Sequence, residues 1–220
     1  MIRVVESPSY ADPLSSDEEF MDDFPFKSIE RAALTAYSFS LDRIKWDLVQ
    51  ADTALSGSTT DYADLVHAAA HLRLVIENTV FASLFSNRRL LLDAEHNLKA
   101  KRDMGETRKL IRRVTPRYWP QGVCAPGILG GAALEPHPDS LAEDAYTKAW
   151  GRLSALLHGR NPYLQCRCEP DEIHAWELDL AKQLHATLDY HFIYLPENEI
   201  LYARVASDPI AIQMLKVDER

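Results

Sequence analysis

The feature that most constrains the fold is a long apolar segment with helical spacing, from Asp61 to Phe85. Apolar residues recur in it every three to four positions, which is the period of an α-helix. They cover a broad part of the helix circumference, so a single neighbour could not bury them all. The segment therefore predicts the central helix of a bundle, with apolar positions Leu65, Val66, Leu72, Val75, Ile76, Val80, Phe81, Leu84 and Phe85.

Polar side chains interrupt this segment, which argues against a membrane span. A span needs about 18–20 consecutive apolar residues, and the segment carries His67, His71, Arg73 and Glu77. The N-terminus soon reaches a proline and then turns acidic, unlike a secretory signal. The three cysteines form no even disulfide framework. We therefore expect a cytoplasmic protein with no membrane partner.

Helical spacing also predicts the neighbouring elements. A first helix over about Ile29–Leu55 begins after Ser28, a residue type that favours helix N-termini. Two charged helices are expected at about Arg89–Arg102 and Glu106–Val114, and Pro116 ends the second. All of these elements precede the stretch richest in proline and glycine.

The C-terminal part predicts two more helices and then strands. Ser140 and Glu143 have the spacing of a capping box, which opens a helix from Leu141 to about His158. Another helix follows Pro170. Alternating apolar residues around turn signals then predict strands, at His191–Leu195, Ile200–Val205 and Ile210–Val217.

Composition and charge divide the chain into three parts. Residues 1–27 read as an acidic, mostly disordered tail, because residues 1–26 hold seven acids and one base. Residues 28–190 form a helical bundle domain with a Pro/Gly-rich loop or lid at 115–138. Residues 191–220 are a short β appendage. The predicted fold class is mainly α, with a small C-terminal antiparallel β-hairpin or meander.

A basic stretch stands out within a chain whose net charge is −9. Residues 88–117 hold ten bases and four acids, and the four bases taken as RNA-binding candidates are Arg108, Lys109, Arg112 and Arg113. The aromatic Tyr118 and Trp119 follow them. Basic and aromatic side chains together suit RNA, because the phosphates pair with lysine and arginine side chains while the nucleobases stack on aromatic rings. The alternative is a solvated helix face without a ligand.

One motif suggests a chemistry. Arg152 precedes His158 by six positions near the end of a predicted helix, in the stretch from Trp150 to Pro162. This pattern resembles the HEPN superfamily, whose signature is an arginine, four to six residues and a histidine late in a helical bundle. The central helix with Arg73 and Glu77 also looks like that of such proteins. The resemblance covers about residues 28–190.

The resemblance implies a function. Many HEPN proteins are dimeric, metal-independent ribonucleases, in toxin–antitoxin or phage-defence settings. His158 would then move a proton and Arg152 would hold the phosphate, with no cofactor. Arg160 would extend the RNA-binding set, and Ser154 would support the site. Arg73 and Glu77 would form a structural ion pair or a second wall of the site.

Two observations bear on this resemblance, and the second favours a different interpretation, a non-catalytic helical module that binds a protein partner. Six residues at ~100° each place Arg152 and His158 about 120° apart on an ideal helix. They still converge if Gly159 lets the last turn of the helix unwind, or if a second subunit supplies the partner. Active family members commonly have a polar residue directly after the arginine, and here that residue is Leu153.

The sequence predicts no metal site. His67 and His71, four apart, could present two imidazoles on one helix face, but no third ligand is close in sequence. Cys166 and Cys168 lie between His158 and His174, so zinc is an alternative there to two inert thiols. Phosphate-binding glycine loops, Gly-x-Ser-x-Gly and His-Glu-x-x-His are absent, which disfavours nucleotide hydrolases, serine hydrolases of that type and zincins.

Overall fold

Two long helices joined by a short connection form the centre of the molecule. In the computed structural model, which describes residues 4–5, 31–57, 61–87, 104–124, 134–158, 169–195 and 198–217, they are α1 (Arg31–Leu55) and α2 (Tyr62–Ser86). Asp61 caps α2, since its side chain accepts a hydrogen bond from the Ala63 N–H at 3.0 Å. The predicted central helix is confirmed, because α2 packs against α1 and two later helices.

Three further helices complete the described helical part. They are α3 (Met104–Val114), α4 (Glu143–Leu157) and α5 (Pro170–Leu188). Helices α4 and α5 pack against α2, and α5 also packs against α1. The predicted helix over residues 89–102 and the Cys166–Cys168 segment lie outside the described residues, as does most of the acidic tail.

The strands form one antiparallel sheet in the order β1-β5-β4-β3-β2. The C-terminal strands β3 (Tyr190–Leu195), β4 (Glu199–Arg204) and β5 (Ala211–Val217) make a meander, as predicted. Two short edge strands that periodicity did not predict join it, β1 (Val4–Val5) and β2 (Gln121–Gly122). Mainly helical architecture with a small C-terminal antiparallel sheet is therefore confirmed.

The sheet packs onto the helices with one face and carries a second apolar cluster on the other. Ile193, Leu201 and Met214 belong to the main core with the helices. Phe192 and Ile200 pack on the opposite face with Val123 and Leu134, which come from the flanks of the Pro/Gly-rich loop. Both faces of the meander are therefore covered.

A buried hydrogen bond ties the sheet to α1. The Tyr37 hydroxyl lies 2.8 Å from His191 Nε2, and His191 Nδ1 lies 2.8 Å from the Leu188 carbonyl. Since a carbonyl only accepts, Nδ1–H donates to it and Nε2 accepts from Tyr37. Burial lowers the pKa of His191 to about 4, so this ring is neutral at physiological pH.

The predicted capping box is wrong. Helix α4 begins at Glu143 after Ala142, which makes no side-chain cap. The Ser140 hydroxyl instead donates to the Ala186 carbonyl at 3.2 Å, and the Leu141 N–H donates to Thr187 Oγ1 at 2.7 Å. A tertiary contact with the end of α5 has replaced the local cap, which sequence spacing could not reveal.

Replacing glycine with alanine should have opposite effects on stability at Gly122 and at Gly151. A Cβ at Gly122 would meet the Ala186 carbonyl oxygen, Ser140 Oγ and Thr187 Cα, whereas one at Gly151 would meet nothing within 4 Å. We expect Gly122→Ala to destabilise the protein by about 1–3 kcal/mol through overpacking. Gly151→Ala in helix α4 should stabilise it by ~0.5–1 kcal/mol. Urea unfolding of both variants tests this, and equal shifts would contradict the close contact of β2 with α5.

Candidate functional site

Arg152 is held against an aromatic ring between α4 and α5. Its Cζ lies 4.0 Å from the ring centroid of Trp176, and its side chain is exposed. A cation–π contact of this kind is worth ~0.5–1 kcal/mol at an exposed site. Because the contact does not use the guanidinium N–H groups, they remain available to an anion. No described carboxylate forms an ion pair with Arg152.

A buried acid that sequence reasoning missed lies close to Arg152. Glu177 is 0% exposed, and neither of its carboxylate oxygens has a hydrogen-bond partner among the described residues. Burial raises the pKa of Glu177 to about 8, while the charge of Arg152 acts in the opposite direction. Glu177 is therefore mostly protonated at pH 7 and does not neutralise Arg152.

A signal for this acid was present in the sequence. Glu177 falls between Ile173 and Leu180, at the spacing of the apolar face of α5. An acid in such a position is buried without water, which is the condition that shifts a carboxyl pKa upward.

Arg152 lines a small groove that adjoins a larger cleft. The groove, about 250 Å³, is also lined by Lys148 and Trp176. It shares Ala145, Asp179 and Gln183 with a cleft of about 920 Å³ between α5 and residues 137–142. The two together make a continuous depression along α4 and α5, which we call the α4–α5 groove.

Cations and acids both line the α4–α5 groove. His185 Nδ1 lies 3.0 Å from Asp189 Oδ1, and its Nε2 lies 2.9 Å from Asp52 Oδ2. The hydrogen bond to Asp189 foremost, and then Asp52, raise the pKa of His185 to about 9 against the opposing effect of burial. The imidazole is therefore cationic at pH 7 but already paired, so Lys148, Arg152 and Lys182 carry the groove's available positive charge.

His158 lies at the C-terminal end of α4. Its backbone N–H donates to the Ser154 carbonyl at 3.0 Å, and its side chain is exposed. The helix stays regular to Leu157, so Arg152 and His158 remain about 9 Å apart along the axis at ~1.5 Å per residue. No hydrogen bond between these two side chains occurs in the described part of the chain. One protomer does not by itself bring them together.

The predicted supporting residues meet at Trp150, two positions before Arg152. Arg73 Nε donates to Glu77 Oε1 at 2.9 Å, and Trp150 Nε1 donates to the same oxygen at 2.8 Å. The Arg73 guanidinium lies 4.9 Å from the Trp150 ring centroid. Ser154 Oγ donates to the Trp150 carbonyl at 2.8 Å. These contacts join α2 to α4, and so they hold the segment that carries Arg152.

The basic side chains of α3 meet the opposite end of α4. Arg108 Nε donates to Glu143 Oε1 at 3.1 Å, and Arg112 Nη1 lies 3.9 Å from the same oxygen. Glu143 is the first residue of α4 and His158 follows its last, so about 22 Å separates them along the axis. Arg108 and Arg112 therefore do not lie beside His158.

The remaining basic RNA-binding candidates are Lys109, Arg113 and Arg160. Lys109 forms a 2.8 Å ion pair with Glu106 on the same helix, and Arg113 is exposed near its end. Arg160 lies outside the described residues.

Leu153, the residue after the arginine, is a core residue. It is 0% exposed and packs in the main hydrophobic cluster. A side chain at this position of the helix faces the interior and cannot contact a substrate in the groove.

Among the described residues, no group of three or more His, Cys, Asp or Glu side chains could hold a metal ion. None of the described helices has the length and apolarity needed to cross a membrane.

Comparison of the chain with known protein families, with curated proteins and with solved structures found no match in any of the three.

Proposed function

We propose that the chain binds single-stranded RNA in the α4–α5 groove and cleaves it without a metal, as a HEPN-like dimer. The observation that carries this proposal is Arg152 itself, exposed and held on Trp176 with no ion-pair partner among the described residues. An arginine preorganised in this way is suited to a phosphate, because its planar fork can donate two parallel hydrogen bonds. The sequence resemblance supplies the histidine and the reaction class.

The proposed reaction is transfer within the RNA strand. A ribose 2′-hydroxyl attacks the adjacent phosphorus, the bond to the 5′-oxygen breaks, and a 2′,3′-cyclic phosphate and a 5′-hydroxyl end result. One His158 accepts the proton of the 2′-hydroxyl, and the His158 of the second copy donates one to the leaving oxygen. Arg152 stabilises the charge that develops on the phosphate. A dimer is needed because Arg152 and His158 do not meet within one protomer.

The setting belongs to the same proposal. The resemblance suggests a cytoplasmic protein of a toxin–antitoxin or phage-defence system, and this suggestion depends on the sequence pattern alone.

The test is incubation of the purified full chain with mixed RNA substrates in EDTA, with analysis of the new ends. We expect cleavage that leaves cyclic phosphates, together with RNA affinity that falls as salt concentration rises. Light scattering should give the mass of a dimer. Absence of both cleavage and salt-dependent binding would contradict the proposal.

A second candidate is a protein-interaction module. It is favoured by exposed aromatic side chains on the two central helices, among them one pair on each helix: Phe39 on α1 is 76% exposed and Trp46 47%, and on α2 Phe81 is 45% exposed and Phe85 38%. The pairs are seven and four residues apart, so each lies along one helix face. The buried Leu153 also favours this candidate. If the chain is inactive and fails to bind RNA, the next step is to look for a protein partner that contacts these exposed aromatic side chains.

A further inference from the structure

A cluster of polar side chains between α1 and α2 takes no part in the proposed RNA site. Asp47 of α1 is 0% exposed, although it carries a carboxylate. His71 of α2 is 8% exposed and lies against it, and His67, one turn earlier on α2, is exposed to solvent. The cluster thus runs from a buried acid to a surface histidine.

The hydrogen bond between Asp47 and His71 orients the imidazole. His71 Nδ1 lies 2.8 Å from Asp47 Oδ1, and because a carboxylate accepts, the nitrogen donates. Asp47 is held in turn by Asn78 Nδ2 at 3.4 Å and by Arg43 Nε at 3.6 Å. The proton on Nδ1 leaves Nε2 of the neutral His71 ring with a lone pair, which faces His67 Nε2 at 3.0 Å. Metal-binding histidines commonly have such a carboxylate behind them.

The two imidazoles face each other with a spacing that suits one metal ion. Their Nε2 atoms lie 3.0 Å apart, while the ring centroids lie 4.7 Å apart, so the nitrogens point inward. Two nitrogens on a tetrahedral zinc ion, at ~2.0–2.1 Å each, are separated by about 3.3 Å. Both lone pairs converge on one ion if His67 carries its proton on Nδ1 and its exposed ring turns and shifts by a few tenths of an ångström.

We propose that His67 Nε2 and His71 Nε2 bind one divalent transition-metal ion, with Asp47 as the positioning residue behind His71. Imidazole nitrogens suit zinc, nickel and copper rather than magnesium or calcium. Since no third described side chain completes the site, water would fill the remaining coordination positions of the ion. The proposal is independent of the proposed RNA cleavage, which uses other residues and needs no metal.

Trp46 provides a local reporter for this site. Its ring centroid lies 5.3 Å from that of His71. A bound paramagnetic ion such as Cu²⁺ or Co²⁺ should therefore quench Trp46 fluorescence. The Trp46→Phe variant should lose this quenching while it keeps the metal.

The test is calorimetric titration of the full chain with ZnCl₂, together with fluorescence titration with CoCl₂. We expect His67→Ala to lose one bound equivalent and the Trp46 quenching, and Asp47→Asn to bind about 10–100-fold more weakly. His137→Ala, which removes a partly buried histidine elsewhere, should bind like the wild type. Circular dichroism checks that each variant folds, and the exposed His67 makes its removal the safest change.

Two results would overturn the proposal. One is a His67→Ala protein that binds zinc with the stoichiometry and affinity of the wild type, as expected if Cys166 and Cys168 were the ligands. The other is wild-type protein that shows no zinc binding and no Trp46 quenching at pH 8. In that case the 3.0 Å contact between the two imidazoles is only a shared hydrogen bond.

Discussion

Replacing Arg152 with alanine is expected to lower the rate of RNA cleavage by about 10²–10³-fold, which is the usual effect of losing one group that stabilises the transition-state charge. His158→Ala should lower it by ~10²–10⁴-fold, because a positioned general acid or base contributes that much. Single-turnover rates in EDTA measure the chemical step apart from product release. Arg117→Ala is the matched control and should cleave like the wild type, because Arg117 is also exposed and lies 4.8 Å from the ring centroid of an aromatic residue, Tyr194.

Arg152→Lys separates charge from geometry. Lysine keeps the positive charge but loses the planar fork and much of the stacking on Trp176, so we expect an intermediate rate. Equal activity of the wild type, Arg152→Ala and His158→Ala would show that any cleavage arises elsewhere in the chain. Loss of activity in Arg117→Ala alone would move the site to the surface beside Tyr194.

The second large effect concerns stability and comes from Glu177. Burial raises the pKa of its carboxyl from 4.5 to about 8, so the folded chain keeps a proton that the unfolded chain has lost. Unfolding therefore releases a proton between about pH 4.5 and 8, and the stability contributed by this group falls as pH rises through that window. At about 1.4 kcal/mol per pKa unit, the fall amounts to a few kcal/mol.

Glu177→Gln tests this because glutamine has nearly the same shape and cannot ionise. The variant and the wild type should have similar unfolding free energies near pH 4.5, and the variant should be more stable by a few kcal/mol at pH 8. His185, with its pKa raised to about 9, also loses stability as pH rises, so the informative quantity is the difference between the two proteins.

Glu172→Gln is the matched control, since Glu172 is exposed on the same helix. It should leave the pH dependence of unfolding unchanged. Parallel curves for Glu177→Gln and the wild type would mean that Glu177 ionises normally, and that its charge then compensates Arg152.

Much of the fold followed from periodicity. Apolar spacing together with cap and breaker residues predicted the ends of α1, α2 and α3 to within two residues, because both kinds of signal are local in the chain. The meander was predicted for the same reason, since β-branched and aromatic residues alternate around clear turns. The predicted helix cap failed because the capping group bonds to a residue far away in the sequence. The Ser140 hydroxyl donates to the Ala186 carbonyl instead of capping α4.

The candidate site was less predictable. The sequence named Arg152, but Trp176 is twenty-four positions away, and its ring comes to 4.0 Å only because α4 and α5 both pack against α2. The basic residues of α3 seemed equally suited to RNA by composition. In the structure Arg108 instead forms an ion pair with Glu143, because α3 places this arginine beside the first residue of α4.

By itself, the sequence determined that this chain folds mainly as helices around an apolar central one, with a strand-forming C-terminus. Those properties depend on the spacing of apolar residues, every three to four positions in a helix and every two in a strand. Both spacings follow from the local geometry of the backbone. Only the tertiary structure decided which polar groups are buried and what lies beside them, such as Asp47 with His71 and the buried Glu177 near the exposed Arg152. The charges and pKa values of these groups depend on their distances from residues far apart in the chain and on their burial from water. The local spacing of residues in the sequence determines neither.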